Sequence, residues 1–130
     1  MTIWSAGRET RLLDLIAVGD KTIEGRLNRG KFAQYRVGDE VHLRRDFRDE
    51  NGVLHDGKPD QLRLQITAIN KYADFRAMFE HEDYKQALPE AKSIDDAVNT
   101  YETYYSAKDQ AAYGVLAIHV RPILSDRKTL

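Results

Sequence analysis

A two-residue alternation of apolar and polar side chains predicts several β-strands along this chain. The alternation covers 21–27, 41–45 and 62–69, and residues typical of turns flank these segments. Residues 46–60 are rich in turn-forming types, so they are expected to form an exposed loop or the tip of a hairpin. A continuous apolar run at 115–120 predicts a strand that is buried on both faces.

Apolar residues three and four positions apart predict helices between these strands. The first helix covers 10–18, and Gly19 follows it where a left-handed backbone often ends a helix. A second helical stretch covers 74–88. A third helix begins at Ser93, whose hydroxyl can accept a hydrogen bond from the amide three residues later. Strands and helices together predict a single α+β domain over residues 1–130.

Length and composition are those of one globular domain. The chain has 130 residues, of which 42% are hydrophobic and 32% charged, a balance that excludes an intrinsically disordered chain. No apolar run approaches the roughly 20 residues that span a bilayer, and the first residues do not resemble a secretion signal. We therefore expect a cytosolic protein outside the membrane. The chain has no cysteine, and its histidines lack metal-ligand spacing, so we expect no metal and no other cofactor.

Charge is unevenly distributed although the formal net charge is only −1. Residues 1–48 carry +3, residues 49–112 carry −6 and residues 113–130 carry +2. If the two ends fold together, they form a mildly basic surface opposite an acidic one. Such a surface suits an anionic ligand such as RNA or a nucleotide, but a solvated surface of mixed sign explains the same distribution.

Three charged residues within six positions form the candidate site. Lys21, Glu24 and Arg26 belong to a predicted strand, and alternation places Glu24 and Arg26 on one side of the sheet. A lysine beside a fixed carboxylate and a guanidinium can anchor a phosphate, orient a water molecule or tune the protonation of its neighbours. An ordinary ion-pair cluster on a solvated face explains the same residues.

The spacing Gly19-x-Lys21-x-x-Glu24-x-Arg26 resembles the signature of the ASCH (activating signal cointegrator homology) family. The resemblance runs over about 8–120, in order, and includes three further segments: Val37-Gly38-Asp39, Ala87-Leu88-Pro89 and Tyr113-Gly114-Val115-Leu116-Ala117-Ile118. It implies a PUA-like fold, in which a mostly antiparallel sheet curls into a β-pseudobarrel with flanking helices. The fold class implied is therefore α+β with a mostly-β core.

The resemblance also implies a cleft beside the barrel that contains Lys21, Glu24 and Arg26 and takes single-stranded RNA or a nucleotide or nucleoside ligand. Some members are proposed to be ribonucleases that act on single-stranded RNA. A distantly similar branch comprises amidohydrolases of acetylated cytidine, in which a nucleophilic threonine occupies the position of Glu24. A carboxylate cannot form the same acyl intermediate. A distal glutamate completes that branch's site, and Glu80 or Glu82 is the candidate here.

Binding is the function that we predict first, with hydrolysis in the same cleft as the alternative. As a general base Glu24 would need a raised pKa, whereas two neighbouring cations lower it. Tyr104 lies outside the apolar register of its helix and is therefore the candidate for stacking on a base, whereas Tyr101 and Tyr105 are expected in the core. The other candidate ligand contacts are Ser106, Lys31, Arg44 and Arg45.

Overall fold

Five strands and five helices form residues 1–124, the part of the chain that the computed structural model describes. The strands are β1 (Ile3–Glu9), β2 (Ile23–Leu27), β3 (Glu40–Arg48), β4 (Leu54–Tyr72) and β5 (Val115–Pro122). The helices are α1 (Thr10–Ala17), α2 (Phe75–His81), α3 (Tyr84–Ala87), α4 (Ile94–Glu102) and α5 (Ala107–Tyr113), with a 3₁₀ helix at Gly30–Gln34. Residues 125–130, which composition predicts to fray, lie outside the described residues.

All five strands belong to one curled sheet in the order β1-β3-β4-β5-β2. The β3–β4, β4–β5 and β5–β2 pairs are antiparallel, whereas β1 pairs with β3 in parallel. The curl brings the two edge strands together, so that Arg8 Nε of β1 lies 2.8 Å from Glu24 Oε1 of β2. This ion pair links the edges of the half-barrel, and the predicted mostly antiparallel, curled sheet with flanking helices is confirmed.

Residues 46–60 form the outer end of the long β3–β4 hairpin, so the hairpin alternative is confirmed and the loop is wrong. Both strands continue through most of that segment, and only 49–53 forms the connecting turn. The pairing is irregular near Gly57 of β4, and only glycine fits there because a Cβ would collide with the Arg45 carbonyl oxygen. The turn-forming residues of 55–60 therefore accommodate a close, irregular approach of two strands, and composition alone suggested a loop.

Side-chain caps divide the helical segments more finely than their apolar spacing predicts. The stretch at 74–88 is two helices, because the Asp83 carboxylate accepts a hydrogen bond from the Lys85 amide and starts α3. Ser93 caps α4 by accepting from the Asp96 amide at 3.0 Å, as predicted. Ser106 likewise caps α5, so 107–113 is a separate helix.

The sheet separates two apolar cores, and successive side chains of β2 point alternately into one core and the other. Ile23 and Leu27 pack on the outer side beneath α2 and α4. Glu24 and Arg26 lie on the inner side, opposite Ile118 and Leu116 of β5, where α1 closes the half-barrel. The charged residues of the candidate site therefore point toward the inner core, which shields them from water.

Candidate functional site

A cleft of about 200 Å³ opens beside β2, and Lys21, Glu24 and Arg26 all line it. Arg11 of α1 lies on one wall. Tyr101 and the turn that follows α4 also line the cleft. Three residues that are close in sequence thus line one concave surface, together with side chains from α1 and α4.

Glu24 is the buried centre of an ion-pair network. Its residue surface is 4% exposed, one carboxylate oxygen lies 2.8 Å from Arg8 Nε, and the other lies 3.1 Å from an Arg26 guanidinium nitrogen. Burial alone would raise the pKa of the Glu24 carboxyl, but the charges of Arg8, Arg26 and Lys21 outweigh it and hold that pKa far below its ordinary value. Glu24 is therefore an ionised anchor for two guanidinium groups.

Lys21 is also buried, at 5% exposure, and it donates to backbone rather than to a carboxylate. Its Nζ lies 2.8 Å from the Ile23 carbonyl oxygen and 2.5 Å from the Ala87 carbonyl oxygen. Burial lowers the pKa of Lys21 to about 8; Glu24 opposes this shift, and Arg26 and Arg8 add to it. The amine therefore titrates close to neutral pH.

The site residues also cover the free edge of β2. The outward carbonyl of Ile23 accepts from Lys21 Nζ, and the outward carbonyl of Gly25 accepts from an Arg26 guanidinium nitrogen at 2.7 Å. A Cβ at Gly25 would lie 2.6 Å from Tyr101 Cε2, so glycine allows α4 to approach this closely. Edge protection and site geometry thus depend on the same side chains.

Three tyrosines form the aromatic wall of the cleft. Tyr101 is buried and Tyr105 is partly buried, and both pack against Phe75 in the outer core. Tyr104 is 78% exposed at the rim of the same cleft. The Tyr104 ring is therefore free to stack on a ligand, whereas the Tyr101 and Tyr105 rings pack in the core.

Comparison with known proteins identifies the family. The model of the ASCH domain family matches residues 9–124. The chain belongs to the ASCH domain family. The family is generally thought to bind RNA. No functionally curated protein matches the chain significantly.

Solved structures agree with this assignment. The crystal structure of the hypothetical protein PH0355 is 32% identical in sequence, with a TM-score of 0.77, and the match covers 94% of this chain and 100% of that one. The solution NMR structure of protein PF0455 from Pyrococcus furiosus is 31% identical, with a TM-score of 0.73 and coverage of 95% and 100%. A mutant ASCH protein from Zymomonas mobilis is 13% identical over 98% of this chain and 78% of that one; its TM-score of 0.60 reflects the shared fold alone.

Four other predicted contacts lie outside the cleft of this ASCH domain. Ser106 uses its hydroxyl to cap α5, and Lys31 Nζ donates to the Ser5 carbonyl oxygen. Arg44 pairs with Asp46 and Asp56 of the sheet, and Arg45 pairs with Asp14 of α1, so both arginines already have carboxylate partners. Sequence spacing could not separate Arg44 and Arg45 from the site, because β3 carries more arginines than β2.

Neither candidate for the distal glutamate lines the cleft. Glu80 is exposed on α2. Glu82 lies beyond β5, where it accepts hydrogen bonds from Tyr72, Asn70 and His119 at 2.5–2.8 Å. Neither glutamate can therefore act on a ligand held beside Lys21 without a rearrangement of the domain.

Sequence analysis missed two cations of the site, Arg8 and Arg11. Arg8 belongs to β1, which has no regular alternation to predict a strand, and it reaches Glu24 only because the sheet curls. Arg11 lies in the correctly predicted first helix, and nothing in the local pattern distinguishes it from other exposed arginines. At the cleft rim Arg11 forms an ion pair with Glu90.

Within residues 1–124, no group of three or more histidine, aspartate or glutamate side chains is arranged to hold a metal ion. No helix of the same part of the chain is both long and apolar enough to cross a bilayer.

Proposed function

We propose that this ASCH domain binds single-stranded RNA, or a nucleotide of the same chemistry, in the cleft beside β2. The observation that carries the proposal is an excess of positive charge in a sheltered, partly aromatic cleft. Among the described residues that line the cleft, Arg11, Lys21 and Arg26 are cationic and Glu24 is the one carboxylate. Arg11 is exposed and pairs with Glu90, so the sheltered excess consists of the buried Lys21 and the partly buried Arg26 against Glu24. Such an excess favours an anion such as a phosphodiester.

Lys21 supplies the strongest reason to expect a phosphate oxygen. A protonated lysine has three N–H donors, and two of them are used by the Ile23 and Ala87 carbonyls. No carboxylate of residues 1–124 lies within 4.0 Å of the Lys21 ammonium. One donor therefore remains for an acceptor in the cleft, and a phosphate oxygen offers both the acceptor and the charge.

The exposed ring of Tyr104 is the reason to expect single-stranded rather than double-stranded RNA. Base–aromatic stacking contributes roughly 1–3 kcal/mol per base and requires a base that is free of its duplex partner. The Tyr104 ring is exposed at the rim, beside the cationic interior. In this arrangement the phosphate lies toward Lys21 and Arg26, and the base lies against Tyr104.

Hydrolysis in the same cleft is the second candidate, and the titration of Lys21 is the observation that favours it. Glu24, held ionised by two guanidinium groups, is a poor general base. Lys21, with a pKa lowered to about 8, has a neutral fraction that can accept a proton. The reactions to test are metal-independent cleavage of single-stranded RNA and deacetylation of acetylated cytidine, each with and without a chelator. Product formation that is lost in Lys21→Arg would establish the enzyme.

Binding is tested by fluorescence anisotropy with a labelled 12-nucleotide single-stranded RNA and matched pairs of variants. Tyr104→Ala should weaken binding by roughly tenfold without lowering the melting temperature, because the ring is exposed. Tyr113→Ala is the matched control, an exposed tyrosine that does not line the cleft. If both variants bind as tightly as the unmodified protein, the ring of Tyr104 does not contact the RNA.

A second pair of variants tests the electrostatic part of the proposal. Arg11→Gln removes a charge from the cleft rim, and Arg63→Gln removes one from an equally exposed ion pair on β4. Each phosphate contact changes the slope of log K against log salt by about 0.7 for a single strand. Arg11→Gln should therefore reduce that slope and Arg63→Gln should not. Equal reductions would mean that the RNA is attracted by overall charge rather than by this cleft.

A further inference from the structure

The hydroxyl of Tyr35 is the one buried side-chain polar atom without a hydrogen-bond partner among the described residues. The residue is 5% exposed, and its ring packs against Trp4 and Phe32 with centroid separations of 5.1 and 5.3 Å. Burial raises the pKa of the Tyr35 hydroxyl, so the group keeps its proton at neutral pH. A buried hydroxyl without a partner is costly to the folded state. Its surroundings should therefore contain a partner.

A small cavity lies beside Tyr35. Its volume is about 10 Å³, close to the minimum that one water molecule requires. Tyr35 lines it together with apolar residues of the inner core such as Val41 and Ile118. Arg8 and Glu24 line it as well, so the wall has a polar side. Apolar cavities of protein interiors stay dry, whereas polar ones hold water that makes two to four hydrogen bonds.

The Arg8–Glu24 ion pair has unused hydrogen-bonding capacity toward such a molecule. A carboxylate has about four acceptor positions, and the described residues use one on each Glu24 oxygen. An arginine has five N–H donors, and Arg8 uses Nε toward Glu24 and one terminal nitrogen toward the Gly7 carbonyl. A water molecule between these groups can therefore both accept and donate.

We propose that this cavity is a binding site for one ordered water molecule, which bridges the Tyr35 hydroxyl to the Arg8–Glu24 ion pair. Glu24 borders both this cavity and the open cleft, so the water links the interior of the half-barrel to the ligand site. Tyr35 is then a positioning residue, because it holds Glu24 through the water without touching a ligand. The proposal concerns the chain itself and does not depend on whether the cleft binds RNA.

Replacement of Tyr35 by phenylalanine tests the bridge through the sign of the stability change. If the hydroxyl binds the water, Tyr35→Phe removes a hydrogen bond and lowers the melting temperature by several degrees. If the hydroxyl has no partner, its removal relieves a buried polar group and the melting temperature stays the same or rises. Tyr113→Phe, at an exposed position, should change the melting temperature by less than about 1 °C and controls for the chemistry of the substitution.

Two measurements decide the proposal even if Tyr35→Phe does not fold. A crystal structure at about 1.5 Å should contain a spherical density peak within 2.5–3.2 Å of Tyr35 Oη and of an atom of Arg8 or Glu24. In the unmodified protein, an NMR cross-peak between the Tyr35 hydroxyl and a bound water should be present. In a folded Tyr35→Phe variant, the ¹³C shift of the Glu24 carboxyl should move. An unfilled cavity in the crystal and no such cross-peak in the unmodified protein would overturn the proposal.

Discussion

Raising the pH from 7 to 9 should weaken RNA binding about tenfold, because Lys21 loses its proton in this range. Burial lowers the pKa of Lys21 to about 8. The lysine is then about 90% protonated at pH 7 and about 10% protonated at pH 9. If the phosphate binds only the ammonium form, the association constant falls in the same proportion. A lysine of ordinary pKa, about 10.4, would stay almost fully protonated and give a flat profile.

The assay is anisotropy of a labelled cytidine oligomer at constant ionic strength, since cytosine does not titrate between pH 6 and 9. Lys21→Arg is the matched variant, because arginine keeps its charge throughout this range. Its profile should be flat, whereas the unmodified protein should lose affinity with a midpoint near pH 8. A flat profile for the unmodified protein, or an equal loss in a folded Lys21→Arg variant, would refute the assigned role of Lys21.

Unfolding at high pH does not explain the predicted loss, because the linked effect on stability has the opposite sign. The pKa of Lys21 is lower in the folded chain than in the unfolded chain. Between these two values the unfolded chain holds a proton that the folded chain has released. The contribution of Lys21 to the free energy of unfolding therefore increases as the pH rises from about 8 toward 10.4. A melting curve at pH 9 is the control for this point.

The remaining predictions concern the groups that build the site. Arg8→Met should lower the free energy of unfolding by about 3 kcal/mol, because it removes a direct partner of the buried Glu24 carboxylate. Adding Glu24→Gln to the same chain should restore part of this loss in urea titrations. A loss below about 1 kcal/mol would contradict the prediction. Gly25→Ala should cost about 2 kcal/mol in thermal unfolding, since its Cβ would lie 2.6 Å from Tyr101 Cε2, and an unchanged melting temperature would show that α4 adjusts freely. Ser93→Ala should cost about 1 kcal/mol by removing the α4 cap, and circular dichroism during melting measures it.

Most secondary structure followed from local sequence, and the exceptions have specific causes. The first helix, the Ser93 cap and the buried strand β5 depend on neighbours within a few residues, so their patterns were sufficient. Strand β1 was missed because Ile3–Glu9 lacks regular alternation and is held by parallel pairing with β3, more than 30 residues away. For the outer part of the β3–β4 hairpin the sequence left a loop and a hairpin tip open, because the irregular pairing there tolerates glycine and proline.

The candidate site divides in the same way. The spacing of Lys21, Glu24 and Arg26 was sufficient to place three chemical groups beside one strand. Their partners are contributed from elsewhere in the chain: Arg8 is 16 residues from Glu24, and the Ala87 carbonyl is 66 residues from Lys21. These contacts exist only once the sheet has curled and α3 has packed against β2.

The sequence by itself determined which residues alternate, that Ser93 caps a helix, that Tyr104 lies off the apolar register and which charged groups share one face of β2. The tertiary structure alone decided that Glu24 is buried between two guanidinium groups and that Lys21 titrates near neutral pH. The physical reason is the range of each effect. Alternation and capping act between residues a few positions apart, whereas burial and ion pairing depend on groups that only the folded chain brings together.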